Sequence, residues 1–207
     1  MPKQFILFDF DGVIVDSFQA AYDVARMICP HLTEEQHRTR FEGNIHDWEE
    51  PVDRHTKECR QDIDFFAEYM PRLKISVIFP GMREVISGLA KGYTLVIVSS
   101  TVSSSIQEYL DSHDLAQYFS LVMGADVHTS KVEKITMVFE KYKIGPRNCV
   151  FITDTLGDMH EAEKAGVGAI GVTWGFHASE TLERGDPYRL VKSPRDLQAA
   201  ISDYFAT

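Results

Sequence analysis

Four short apolar runs, at residues 5–8, 95–98, 150–152 and 169–172, constrain this chain more than any other feature. Each is rich in β-branched or aromatic residues, does not alternate with polar ones, and stops against a polar or small residue. Continuous apolar runs of this length suit strands buried on both faces, as in a parallel sheet covered by helices on either side. A weaker fifth run lies at 120–123, and segments of helical period separate the runs, at 82–90, 103–111, 131–142 and 156–165. Strand and helix therefore alternate from residue 80 onward, which predicts an α/β doubly wound parallel sheet.

The first run breaks that rhythm. After Asp16 the pattern is mostly polar and helical, with helices expected at 17–28, at 33–42 and from 47 to 73, the last interrupted near Pro51 and Pro71, and with a strand expected only at 75–79. A structureless loop of that length is rare inside a domain. An all-helical module inserted at 17–79, between two parts of a core formed by 1–16 and 80–207, accounts for it better, with Pro80-Gly81 marking the return.

Charge narrows the function classes. The chain of 207 residues carries 21 Lys plus Arg against 31 Asp plus Glu, a formal net charge of -10. An acidic surface repels nucleic-acid backbones and anionic lipid headgroups, so neither is an expected partner. Cys29, Cys59 and Cys149 are odd in number and far apart, which suits a reducing compartment, and the apolar start at 5–8 is too short for a leader or a span. A cytoplasmic protein is expected. The eight histidines show no metal-ligand spacing and are read by default as surface or hydrogen-bonded residues. Oligomeric state is not legible.

Polar residues gather just past the ends of the expected strands, where open α/β sheets bind ligands. These are Asp9, Asp11, Gly12 and Asp16 after the first, Ser99 and Ser100 after the second, Lys131 at a helix start, and Asp154 and Asp158 after the third. Singly, Ser99, Ser100 and Asp154 read equally well as helix caps, and Lys131 as a solvated helix residue. Together they form a charge problem. Two unpaired carboxylates 4 Å apart repel by about 4 kcal/mol at an effective dielectric of 20, so something cationic must offset Asp9 and Asp11. Asp154 and Asp158 add to the demand, and an oxygen-only donor set suits Mg²⁺ better than a soft metal.

The series Asp9-x-Asp11-Gly12-x-x-x-Asp16-Ser17, an apolar strand ending in Ser99, then Lys131, then Asp154-x-x-x-Asp158 resembles the haloacid dehalogenase superfamily, and within it the phosphatases with a helical cap after the first strand. The stretch 168–177 followed by Glu180-Thr181-Leu182 is similar to the closing segment of phosphoglycolate phosphatase-like members. The resemblance implies a Rossmann-like core, Asp9 as nucleophile, Asp11 as general acid and base, and Mg²⁺ held by Asp9, the Asp11 carbonyl and Asp154, with Asp158 supporting. It also implies that Ser99 and Lys131 bind the phosphoryl group, with backbone N–H groups near Asp11, Gly12 and Ser100. Lys134, one turn further, is the reserve for Lys131. Thr153, Val132 and Ser100 depart from the family's usual Gly, Pro and Asn, and none removes a group the chemistry needs.

The expected function is Mg²⁺-dependent hydrolysis of a small phosphorylated metabolite, phosphoglycolate being the best single choice. A sugar phosphomutase or a non-catalytic phosphate-binding relative would keep the same motifs. Arg38, Arg40, Arg54, Lys57 and Arg72 of the insert are available to set specificity, and the turn at 41–44 could bring Arg40 to the site.

Overall fold

In the computed structural model, which describes residues 3–47, 59–60 and 62–207, the chain enters as β1 (Phe5–Phe8), turns at Gly12 and forms the short β2 (Val15–Asp16). The insert follows: α1 (Phe18–Ile28), α2 (Glu34–Thr39) and α3 (Phe65–Ile75), closed by β3 (Val77–Ile78), which pairs antiparallel with β2. The remainder alternates as α4 (Met82–Leu89), β4 (Thr94–Val98), α5 (Ser103–Ser112), β5 (Phe119–Met123), α6 (Lys131–Tyr142), β6 (Cys149–Thr153), α7 (Leu156–Lys164), β7 (Gly168–Val172), α8 (Ser179–Glu183), β8 (Arg189–Val191) and α9 (Leu197–Ala206).

Six strands form one parallel sheet in the order β5-β4-β1-β6-β7-β8. Because side chains alternate across a strand, each central strand supplies both faces. Ile6, Phe8, Leu95, Ile97, Val150 and Ile152 pack with Met82, Ile86, Ile106, Leu110, Leu197 and Ile201 of α4, α5 and α9 on one face. Phe5, Leu7, Val96, Val98 and Phe151 pack with Ile135, Val138, Met159 and Leu182 of α6, α7 and α8 on the other. Two-sided burial is why these strands read as unbroken apolar runs.

The insert differs from expectation in three ways. Residues 48–58 and 61, which include Pro51, Arg54 and Lys57, lie outside the described residues, and of the expected long helix the described residues form α3. Pro71 lies inside α3 rather than breaking it. Proline removes one backbone donor, so the carbonyl four residues earlier loses its helical partner, yet Tyr69 and Leu73 are buried in the core and hold the helix together across that gap. The expected strand at 75–79 is extended only at Val77–Ile78, so among the described residues the insert's regular elements are helical apart from its contribution to the β2-β3 ribbon. Two further elements lie beyond those expected: β8, a three-residue edge strand, and α9, whose Leu197, Ala200 and Ile201 recur at helical spacing and which is tied to β8 by an Arg189–Asp203 ion pair at 2.9 Å. Among the described residues no helix is long and apolar enough to cross a membrane.

Ile97 is fully buried between β1 and β5. Ile97→Ala is expected to destabilise the fold by about 2–5 kcal/mol, the cost of lost burial plus a residual cavity. A lower denaturant midpoint at an unchanged slope is the result that checks this.

Candidate active site

Register brings the chemistry together. Phe8 lies opposite Ile97 of β4 and Ile152 of β6, so the residues following these three adjacent strands emerge side by side. From β1 come Asp9 and Asp11, from β4 Ser99, Ser100 and Thr101, and from β6 Asp154 and Thr155. All but Asp154 line a cavity of about 430 Å³ between the sheet's end and the insert, together with Lys131, Asp158 and Glu161.

Lys131, the first residue of α6, is buried, with its Nζ 2.6 Å from Asp158 Oδ2 and 3.0 Å from Asp9 Oδ2. Ser130 caps α6, accepting from the Glu133 N–H and donating to Glu161 Oε1 at 3.2 Å, and that same carboxylate oxygen accepts from the Lys131 N–H at 2.7 Å. The helix start is thereby fixed against α7. Asp158 also accepts from Thr153 Oγ1 at 2.7 Å, so Thr153 is a working member of the site. Lys134 turns elsewhere. Its Nζ donates to the Ser99 carbonyl at 2.6 Å, and burial, then the neighbouring Lys131, push its pKa down to about 8. Lys131, not Lys134, faces the carboxylates.

Asp9 is anchored through Oδ1 by the Phe10 N–H at 2.8 Å. Asp11 accepts from Thr101 Oγ1 at 2.7 Å and from the Tyr69 hydroxyl of α3. Burial, then the Asp11 carboxylate, push the Tyr69 phenol well above its ordinary pKa and keep it a donor. Ser99 Oγ accepts from the Thr101 N–H at 3.0 Å and stays buried at the strand end. Gly12 does not line the cavity. Its φ of +72° and a Cβ position 2.0 Å from Asp154 Oδ2 admit only glycine, and Gly175 approaches the same oxygen from another loop, where a Cβ would lie 2.2 Å away. Asp154 Oδ2 accepts from the Phe176 N–H at 2.6 Å, while its buried Oδ1 has no partner.

The electrostatics follow from this packing. Burial, then Lys131, compete at Asp158; the ammonium and its hydrogen bond, with those from Asp9 and Thr153, outweigh burial and hold this carboxyl below the usual range. Burial pushes Asp9 well above it, reinforced by Asp158 and Asp154 and only partly opposed by Lys131. Burial likewise raises Asp154 to about 7. Three buried carboxylates thus face a single ammonium. Among the described residues no three His, Cys, Asp or Glu side chains form a closed cage, so a cation here would take carboxylate oxygens together with backbone or water oxygens. The unpartnered Asp154 Oδ1 and the two buried carboxyls whose ionisation Lys131 does not offset fit a hard divalent ion.

The insert closes over this floor. Asn44 Nδ2 donates to the Thr129 carbonyl at 3.3 Å and to Glu161 Oε1 at 3.2 Å, and the Gly43 backbone rests on α7 so closely that a Cβ on Gly157 would stand 2.2 Å from its carbonyl oxygen. His177 accepts the Leu156 N–H at Nδ1 and donates from Nε2 to the Arg38 carbonyl at 2.9 Å, bridging core and insert. Arg40 lines the cavity as the turn at 41–44 suggested. Arg38 instead stacks on Phe18 and pairs with Glu34, and Arg72 pairs with Glu68. The default reading of the histidines fails at His37, which is buried with neither ring nitrogen hydrogen-bonded. Sequence reasoning missed Tyr69 and Thr101; only Thr101 had a signal, lying two residues past Ser99 as Asp11 lies two past Asp9.

Removing the Lys131 charge leaves Asp9 and Asp158 buried and uncompensated. Lys131→Met is expected to cost about 3–5 kcal/mol of stability, measurable by chemical denaturation, although the methionine matches the lysine stem in size.

The haloacid dehalogenase-like hydrolase family pattern matches residues 6–172. A protein named "Probable phosphatase IndB" from Dickeya dadantii is 29% identical over 217 residues, 96% of this chain and 93% of that one. A phosphoglycolate phosphatase from Vibrio vulnificus is 28% identical over 204 residues, 88% of this chain and 89% of that one. Among solved structures, a haloacid dehalogenase-like family hydrolase from Streptococcus pneumoniae superposes with a TM-score of 0.75 at 20% identity, over 96% of this chain and 98% of that one. The match spans every strand from β1 to β7 and contains the Asp9, Ser99, Lys131 and Asp154 segments just described, so the chain belongs to the haloacid dehalogenase-like hydrolases.

Proposed function

We propose that this protein is a Mg²⁺-dependent phosphatase that hydrolyses a small phosphate monoester through an aspartyl-phosphate. The observation that carries this reading is the Asp9 carboxylate on the cavity floor, fixed by the Phe10 N–H and 3.0 Å from a buried ammonium that would neutralise an incoming phosphate. The names of the relatives, phosphatases in each case, support it.

Asp9 attacks phosphorus in line, forming one P–O bond as the bond to the leaving alkoxide breaks. Asp11 gives its proton to that alkoxide. In the second half-reaction Asp11 takes a proton from water as the water attacks phosphorus, and the bond to Asp9 breaks to release phosphate. Thr101 and Tyr69 aim the Asp11 carboxyl throughout, since a hydroxyl can donate to the carboxylate or, as Thr101 can, accept from the acid. Lys131 binds phosphoryl oxygens, joined by Ser99 and by backbone N–H groups at Ser100 and after Asp11. Asp9, the Asp11 carbonyl and Asp154 would hold Mg²⁺, with Asp158 supporting. When bound, the ion supplies charge stabilisation to the phosphoryl oxygens. The insert, residues 17–79, acts as a cap that shields the reaction from water.

Phosphate release from a panel of monoesters is expected with Mg²⁺ and not with EDTA, and Asp9→Asn should fall to background. An active Asp9→Asn enzyme would remove Asp9 as the nucleophile. A second expectation concerns pH. Asp154 titrates near 7 when folded and about 3.9 when unfolded. The folded chain therefore holds a proton there that the unfolded chain has lost, and metal-free stability falls as pH rises from about 4 through 7. Mg²⁺ binding must displace that proton, so the increase in melting temperature on adding Mg²⁺ should be larger at pH 8 than at pH 6. An equal increase at both pH values would exclude Asp154 as a ligand.

A further inference from the structure

Lys134 has no task in the reaction just described, yet it is fully buried. Burying an ammonium is costly, and this one lies a single turn of α6 from the ammonium of Lys131, which disfavours it further. Burial and Lys131 lower its pKa to about 8, against the pull of Asp9, Asp158 and Glu161, so at neutral pH it is still charged. Its Nζ donates to the Ser99 carbonyl at 2.6 Å.

That carbonyl lies where the ladder between β4 and β5 stops. The Ser99 N–H still donates to the Met123 carbonyl at 3.0 Å. In a parallel ladder the next bond would run from the Ala125 N–H back to the Ser99 carbonyl. Ala125 donates to the Thr101 carbonyl instead, at 3.0 Å, and the Gly124 N–H to Ser103 Oγ at 2.9 Å. Lys134 therefore stands in for the missing strand donor. A peptide group is planar and trans, so a carbonyl and the N–H that follows it point in opposite directions. Fixing the Ser99 carbonyl on Lys134 thus fixes the Ser100 N–H on the other side. Ser99 and Ser100 line the cavity and Lys134 does not, so that other side is the cavity floor. Among the described residues the Ser100 N–H has no hydrogen-bond acceptor.

Resting on the phosphatase reading above, we propose that Lys134 is a positioning residue, whose hold on the Ser99 carbonyl aims the Ser100 N–H at the phosphoryl oxygens. It acts through the Ser99–Ser100 peptide and does not touch the phosphate. The two lysines on one face of α6 then have separate tasks: Lys131 meets the phosphoryl group with its charge, and Lys134 orients a neutral donor beside it. A donor held in place beforehand stabilises charge developing on those oxygens without having to reorganise.

The test follows the Ser100 amide by proton–nitrogen correlation NMR at pH 7 with Mg²⁺ as inorganic phosphate is added, in the unmodified protein, Lys134→Met and Lys134→Arg. In the unmodified protein the Ser100 amide proton is expected to move downfield on saturation. In Lys134→Met, which matches the stem and lacks the ammonium, that shift should fall to about half or less, and Lys134→Arg, which keeps a cationic donor, should recover part of it. With the best ester of the panel, Lys134→Met should lower kcat about tenfold or more and change KM by less than about threefold. A Ser100 amide that phosphate does not move in the unmodified protein overturns the proposal even if the variants fold poorly. An equal shift in Lys134→Met also overturns it, leaving the lysine a purely structural group. The expected shifts without phosphate release from any ester support the positioning of a bound phosphate and overturn the phosphatase reading alone.

Discussion

The ammonium of Lys131, buried between Asp9 and Asp158, is the interaction around which the site is built. It can lie there only because α6 begins at that residue, and α6 begins there because Ser130 caps it and Glu161 takes its first N–H. Asp158 in turn is presented by the first turn of α7, where Thr155 caps the helix and Thr153 shares the carboxylate. Three strand ends and two helix starts thus converge on one charge, and displacing any of them strands a carboxylate out of water. One ammonium does not balance three buried acids. In the proposed mechanism a divalent cation supplies what Lys131 does not, and the floor with that cation bound takes up the phosphate.

This arrangement resolves the apparent conflict between an acidic chain and an anionic substrate. A net charge of -10 describes the protein as seen from a distance. In the proposed mechanism the acids at the cavity floor hold the cation and carry protons, while Lys131 and backbone N–H groups face the phosphate. The insert brings charge of its own in Arg40, but most of what it adds to the cavity is aromatic. On the proposed reading chemistry and selectivity are divided: the sheet's end carries the charged groups that would act on phosphorus, and the insert lines the space left for the rest of the ester.

The sheet and the acids were legible because both leave one-dimensional traces. A strand buried on two faces must be apolar at every position, which is why Phe5–Phe8 and Cys149–Thr153 stand out, whereas the edge strand Arg189–Val191 need not be and does not. Asp9, Asp11, Asp154 and Asp158 lie at fixed offsets from those strands. Tyr69 and His37 leave no such trace. They line the cavity from α3 and α2, and an aromatic residue on a helix that will be buried looks the same in sequence whether it meets solvent, core or cavity. Pro71 misleads in the opposite direction, since tertiary packing of Tyr69 and Leu73 overrides a local helix breaker.

The backbone contact between Gly43 and Gly157 has a consequence for how such a chain can change over time. Neither position touches a reacting atom, yet a side chain at 157 would strike the carbonyl at 43 and lift the insert from α7. Position 157 can be enlarged only if the turn at 43 moves in the same step, so the seating of the insert on α7 is set by two glycines together rather than by either alone.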